Sequence, residues 1–104
     1  MKTLLATLLS GTFLLAAPAV HAADAAPLLQ KAGCIACHST DKKVLGPSFK
    51  DISAKYKGKN MEAALIKKVK DGGSGAWGPM PMPPNTGKLS DDEFKHVVEW
   101  ILSL

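Results

Sequence analysis

The residues best suited to chemistry form one short segment, Cys34-Ile35-Ala36-Cys37-His38. In a helical turn, residues three and four positions apart lie on the same side, so both thiols and the imidazole would point in one direction. This spacing is the attachment signature for c-type haem. Each thiol would bond to one vinyl group, and His38 would lie beneath the iron as an axial ligand. The segment therefore predicts one covalently attached haem c.

Three other uses of a cysteine pair are weighed against haem attachment. A thioredoxin-like redox pair requires a βαβ setting, and the chain has no strand pattern to provide one. A zinc site requires two further ligands, whereas His96 is the other histidine that follows residue 22. A simple disulfide between Cys34 and Cys37 would leave His38 without a role. Haem attachment accounts for all three residues of the signature.

The second axial ligand decides between an electron carrier and a haem that binds small molecules. A methionine thioether opposite a histidine is typical of cytochromes c and raises the reduction potential. Met80 and Met82 are equivalent candidates on spacing alone. Met61 belongs to the apolar face of a predicted helix, where we expect it to pack in the core. The alternative function is a haem protein with a labile distal methionine and peroxidase-like or ligand-sensing activity.

The first 22 residues of the 104-residue chain have the features of a secretory signal peptide. Lys2 precedes an apolar stretch, and the small residues Val20 and Ala22 predict cleavage before Ala23. An uncleaved membrane anchor is the alternative, but the apolar stretch is short. We therefore expect export to the periplasm and one domain, residues 23–104. A domain of this size usually needs a disulfide, metal or cofactor for stability.

Charge and hydropathy exclude other classes of partner. The net charge of +4 includes Lys2, and all thirteen basic residues are lysines. This excess is small and lacks interleaved aromatic residues, so nucleic-acid binding is not indicated. No apolar run after Ala22 is long enough to span a bilayer. The prediction is a soluble, monomeric domain whose lysine-rich surface keeps it in solution, with an acidic partner as the alternative role of that surface.

Helical periodicity and capping residues predict an all-α domain of about four short helices. The last helix has the sharpest start, a capping box from Ser90 to Glu93. Between Gly72 and Lys88, prolines alternate with large apolar residues, which predicts a stiff loop laid over an apolar surface. No segment has the alternation typical of a strand. The predicted helices run from Asp24 to Lys31, from Phe49 to Gly58, from an Asn60 cap to Gly72, and from Ser90 onward.

The chain resembles the small bacterial cytochrome c-551 group of class I c-type cytochromes. The resemblance rests on the Cys34–His38 signature, Gly46-Pro47, Trp77-Gly78-Pro79, residues 81–85 (Pro-Met-Pro-Pro-Asn) and the Ser90–Glu93 helix start. It covers nearly all of residues 23–104. It implies the class I cytochrome c fold, in which about four short helices surround one haem.

The resemblance also implies roles for individual residues. Met82 would be the distal iron ligand, while Met80 would pack in the loop. The carbonyl of Pro47 would accept the second ring proton of His38. Asn85 would steady the methionine sulfur, and the Trp77 indole would donate a hydrogen bond to a haem propionate. Lys68 would be a basic position near a propionate.

With His38 and Met82 both on the iron, no position would remain for a substrate, and the sequence shows no separate acid, base or nucleophile cluster. The expected function is single-electron transfer without catalysis. The resemblance suggests transient periplasmic redox partners such as a nitrite reductase, a terminal oxidase or a cytochrome c peroxidase, and the sequence does not choose among them.

Overall fold

The computed structural model describes residues 11–15 and 24–104. The predicted cleavage site before Ala23 and most of the predicted signal peptide lie outside these residues; residues 11–15 have no regular secondary structure. Four α-helices are present in the described part, as predicted, together with a small two-stranded sheet. The elements are α1 (Ala26–Lys31), α2 (Phe49–Tyr56), α3 (Glu62–Asp71), β1 (Gly73–Gly75), β2 (Gly78–Met82) and α4 (Asp91–Leu102).

Helix α4 begins at the predicted capping box. The Ser90 hydroxyl accepts a hydrogen bond from the Glu93 amide at 3.2 Å, and the Glu93 carboxylate accepts one from the Ser90 amide at 3.1 Å. These bonds satisfy amide groups that the first helical turn leaves unpaired. One face of α4 is buried and packs against α1, α2 and α3. The buried residues on this face are Phe94, Val97, Val98 and Ile101.

The first two helices contribute the rest of a small core. Leu29 and Ala32 of the α1 region and Phe49 of α2 are buried against α4. Helix α2 starts at Ser48, whose hydroxyl accepts a hydrogen bond from the Asp51 amide at 3.0 Å. This cap places Phe49 at the first position of the helix, with its ring inside the core.

Helix α3 differs from the others because none of its residues is fully buried. The prediction that Asn60 caps this helix is wrong: Asn60 has a φ of +56° and Met61 occupies the capping position without a side-chain bond. Met61, Leu65 and Val69 border a cavity. Met61 is therefore half-buried at a cavity wall.

The segment predicted as a strand-free loop contains an antiparallel hairpin. Gly73 pairs with Met82 and Gly75 with Gly78, leaving Ala76 and Trp77 at the turn. Glycine and proline are depleted in strands, and proline has no amide hydrogen to donate to the ladder, so the sequence carries no strand pattern here. The expectation that the chain has no strands is corrected by this hairpin.

The base of the hairpin depends on Gly72. This residue has φ +70° and ψ −158°, a backbone conformation that only glycine adopts readily. A Cβ atom here would lie 2.8 Å from the Pro83 carbonyl carbon and closer still to the Met82 carbonyl oxygen. Glycine thus lets the end of α3 pass directly against the backbone that follows β2.

Candidate functional site

The signature residues form the expected helical turn. The segment Cys34–Ala36 is a 3-10 helix, and the amides of Cys37 and His38 both donate to the Cys34 carbonyl, at 3.1 and 2.9 Å. The two cysteines are not bonded to each other, and both are half-buried. The two thiols and the imidazole border one cavity. The local hydrogen bonds of this turn therefore place the three groups together.

Three neighbours hold the His38 ring. Its Nδ1 lies 2.7 Å from the Pro47 carbonyl oxygen, so a proton on Nδ1 donates to that oxygen and leaves Nε2 free to bind a metal. The ring stacks on Phe49 with centroids 5.3 Å apart and planes at 24°. A Cβ at Gly46 would lie 2.6 Å from His38 Cε1. The hydrogen bond expected at Pro47 is present, whereas Phe49 and Gly46 are contacts that the sequence did not reveal.

The cavity has a volume of about 880 Å³, within the usual range for a site that encloses a small-molecule cofactor. Its walls come from the signature turn, α2, α3, the hairpin and the inner face of α4. The wall is mainly apolar, and its candidate metal ligands are sulfur and imidazole groups, which suit a haem iron. The apolar residues of this wall and its candidate haem-binding residues include Cys34, Cys37, His38, Phe49, Ile52, Tyr56, Met61, Leu65, Val69, Trp77, Met80, Met82, Val97 and Ile101.

The two candidate methionines differ in exposure. Both border the cavity, but Met80 is 61% exposed whereas Met82 is half-buried at the end of β2. The Met82 backbone lies against Gly72, which fixes this end of the strand to α3. Spacing alone did not separate the two residues. Burial and backbone contact now favour Met82 as the more firmly held thioether.

The side chain of Asn85 is buried and has three hydrogen-bond partners. It is 5% exposed, and its amide nitrogen donates to the carbonyl oxygens of Val69 at 3.0 Å and Pro83 at 3.2 Å. Its amide oxygen accepts from Lys88 at 3.1 Å. Both amide hydrogens therefore bond to backbone carbonyls. In this structure Asn85 ties the loop after β2 to α3.

Trp77 and Lys68 both border the cavity, as their expected roles near the propionates require. Trp77 is at the hairpin turn, and its ring meets that of Tyr56 edge-on, with centroids 6.3 Å apart and planes at 76°. Tyr56 is the last residue of α2. The position of Trp77 thus depends on how the hairpin packs against α2.

The electrostatics of Cys34 argue against a thiol redox centre. Burial raises the pKa of the Cys34 thiol, and the positive charge of Lys88 only partly opposes this effect. A reactive cysteine of the thioredoxin type instead has a lowered pKa, since the thiolate is its nucleophile.

Comparison with known proteins agrees with the geometry of this cavity. The family model described as cytochrome c matches residues 22–104. The chain belongs to the cytochrome c family. Membership implies a covalently bound haem c, and the cavity and its ligand groups fit that cofactor.

Individual members of the cytochrome c family match most of the chain. Cytochrome c-551 of Pseudomonas aeruginosa is 45% identical over 101 residues, which are 96% of this chain and 93% of that protein. The crystal structure of wild-type Nitrosomonas europaea cytochrome c552 is 48% identical and has a TM-score of 0.70, covering 76% of this chain and 98% of that one. The class 1 cytochrome of Sideroxydans lithotrophicus is 37% identical with a TM-score of 0.65, covering 76% and 90%.

These similarities confirm the class I cytochrome c fold and support an electron-carrying c-type cytochrome. Within residues 11–15 and 24–104, no helix is long and apolar enough to cross a membrane.

Proposed function

We propose that the chain is a periplasmic carrier of single electrons, with haem c attached through Cys34 and Cys37 and ligated by His38 and Met82. The observation that carries this proposal is the cavity bordered by all four side chains. Two thiols at the attachment spacing, an oriented imidazole and a half-buried thioether are the groups by which cytochromes c attach their haem and ligate its iron.

The surrounding chain restricts the position of both proposed iron ligands, His38 and Met82. The hydrogen bond from His38 Nδ1 to Pro47 fixes the ring and raises the basicity of Nε2. Pro81 and Pro83 flank Met82 and restrict the backbone on both sides. When bound, haem supplies one-electron chemistry, as its iron alternates between the ferric and ferrous states. Ligands held in a stiff frame need little rearrangement between these states, which favours rapid transfer.

We infer a carrier and not an enzyme because two protein ligands leave the iron no open position. Besides the proposed ligands, the charged groups at the cavity wall are Lys43, Asp51 and Lys68. Two of these are lysines, which suit the recognition of propionate groups. The expectation that Trp77 donates to a propionate is retained, since its ring borders the same cavity.

The surface beside the cavity is proposed to meet transient redox partners. Ile35, Val44, Leu45 and Met80 are exposed apolar residues, and Leu45 and Met80 also border the cavity. The exposed pair Lys42 and Lys43 directly precedes Val44 in the sequence. A small apolar patch beside positive charge suits brief encounters with acidic partners. The candidate partners are a nitrite reductase, a terminal oxidase and a cytochrome c peroxidase, met by a monomer of this chain.

Export to the periplasm follows from the proposed signal peptide, residues 1–22. Amino-terminal sequencing of the purified protein tests it, and a first residue of Ala23 is expected. An intact Met1 in a membrane fraction would instead indicate an uncleaved anchor.

The proposed haem site is tested by the visible spectrum and mass of the purified protein, before and after extraction with acidic organic solvent. We expect a c-type spectrum and a mass increase of one haem, both resistant to extraction. The ferric protein should show the weak far-red band of a methionine sulfur ligand. A bare polypeptide mass would indicate a thiol module. A high-spin ferric form that binds cyanide readily would indicate the ligand-binding alternative.

A further inference from the structure

The hairpin that carries Met82 has a base at Gly73 and Met82 and a turn at Ala76 and Trp77. Its base lies against Gly72 at the end of α3. Among the described elements, the main contacts of the hairpin are those between its own two strands. Strand β2 contains Pro79 and Pro81, which have no amide hydrogen for the ladder, and an isolated two-stranded hairpin is marginally stable. The free end of the hairpin therefore needs an anchor outside itself.

Lys55 of α2 contacts the turn of the hairpin through both its positive charge and its hydrogen-bond donors. Its Nζ donates to the Ala76 carbonyl oxygen at 3.1 Å and lies 4.4 Å from the centre of the Trp77 ring. The same Nζ is 5.3 Å from the centre of the Tyr56 ring. An ammonium group has three hydrogens, so it can bond to a carbonyl while its charge faces an aromatic ring. One side chain thus joins both residues of the turn to α2.

Two other exposed lysines have carboxylate partners instead. Lys50 pairs with Asp41, and Lys67 with Asp71. Exposed ion pairs of that kind contribute little to stability. Lys55 differs because its partners are a backbone carbonyl and two rings on different elements, so its contacts constrain how those elements are arranged.

We propose that Lys55 is a positioning residue that fastens the turn of the hairpin to α2 and thereby controls how readily Met82 is displaced from the iron. This inference rests on the proposed function, in which Met82 is the distal ligand. With the base held at Gly72 and the turn held by Lys55, β2 forms one wall of the cavity. Without Lys55, the turn is free to move away from α2, and an external ligand can replace the thioether at a lower energetic cost.

The test compares haem-loaded ferric proteins that differ at one lysine. Lys55→Met removes the charge and the donor but retains much of the side-chain length. Lys59→Met removes an equal charge from an exposed residue just beyond α2 and serves as the matched control. Lys55→Arg restores a cation and donors.

Imidazole titration measures displacement of the distal ligand. We expect imidazole to bind Lys55→Met about three- to tenfold more tightly than the wild type, given the modest strength of an exposed cation–π contact and a single hydrogen bond. Lys59→Met should match the wild type, and Lys55→Arg should recover most of the difference. The imidazole affinity of Lys55→Gln, which keeps a donor but not the charge, should lie between those of the wild type and Lys55→Met. Lys55→Gln also provides a second test if Lys55→Met folds poorly.

Hydrogen exchange of the amides of residues 73–78 in the ferrous protein provides an independent readout. Faster exchange is expected in Lys55→Met and not in Lys59→Met. Wild-type imidazole affinity and exchange in Lys55→Met would overturn the inference, as would an equal change in Lys59→Met. A wild-type ferric protein without the sulfur-ligand band would overturn the proposed function instead, and the exchange rates would still decide whether Lys55 fastens the turn.

Discussion

Replacing Gly72 by alanine should destabilise the protein and loosen the segment that carries Met82. The backbone of Gly72 has φ +70° and ψ −158°, and a Cβ there would overlap the Met82 and Pro83 backbone. Because the overlapped atoms belong to the main chain, no side-chain rotation can relieve the clash. The variant must therefore shift either the end of α3 or the base of the hairpin.

The size of the effect follows from two contributions. Holding a residue other than glycine in this conformation costs about 1–3 kcal/mol. Forcing an additional carbon into a packed site costs about 1–3 kcal/mol more. The expected loss is about 2–6 kcal/mol, a large share of the roughly 5–15 kcal/mol that stabilises a typical domain. In a domain of this size, each kcal/mol lowers the Tm by about 4–8 °C.

Gly58→Ala provides the matched control. Gly58 also has a positive φ, +74°, but a Cβ there would meet no atom within 4 Å. The loss of stability in Gly58→Ala should therefore be the conformational cost alone, about 1–2 kcal/mol. Guanidinium unfolding of both haem-loaded variants measures the difference, and the far-red ferric band reports on Met82. If Gly72→Ala lost no more stability than Gly58→Ala and kept the band, the argument that Gly72 holds the Met82 backbone would be refuted.

Three further predictions follow from the same site and its supporting helices. Met82→Ala should give a high-spin ferric spectrum and a lower reduction potential, whereas Met80→Leu should leave both nearly unchanged; the opposite result would assign the ligand to Met80. Gly46→Ala should push the His38 ring from its place, because the new Cβ would lie 2.6 Å from Cε1; the weakened bond to Pro47 should raise the potential, and an unchanged potential would contradict this. The Ser90 amide and the Lys31 side chain lower the pKa of Glu93, so its stabilising contribution is present above the ordinary carboxyl pKa and is lost as the pH falls through the lowered pKa. Glu93→Gln should therefore be less stable than the wild type at neutral pH and converge with it in acid, as acid titration of the unfolding free energy would show.

Short-range interactions account for the elements that the sequence predicted well. The capping box at Ser90 and the apolar stripe of α4 depend on residues within a few positions of each other. The turn from Cys34 to His38 is likewise closed by bonds to a single carbonyl. Such patterns are readable along the chain because the interacting groups are neighbours in sequence.

The hairpin and the exact partners of several site residues required the folded structure. Residues 73–82 carry glycine and proline instead of strand-forming residues, and the approach of Gly72 to the Met82 backbone helps to set where the hairpin lies. The bonds of Asn85 to Val69 and Pro83 likewise depend on how α3 meets the following loop.

The amino-acid sequence by itself determined the haem attachment signature, the helical class and the family resemblance. It reduced the distal ligand to two methionines by spacing, and the resemblance preferred Met82. Only the tertiary structure showed that Met80 is the more exposed and that Lys55 reaches the Trp77 turn. These features join residues far apart in the chain, whose approach depends on packing that no local pattern specifies.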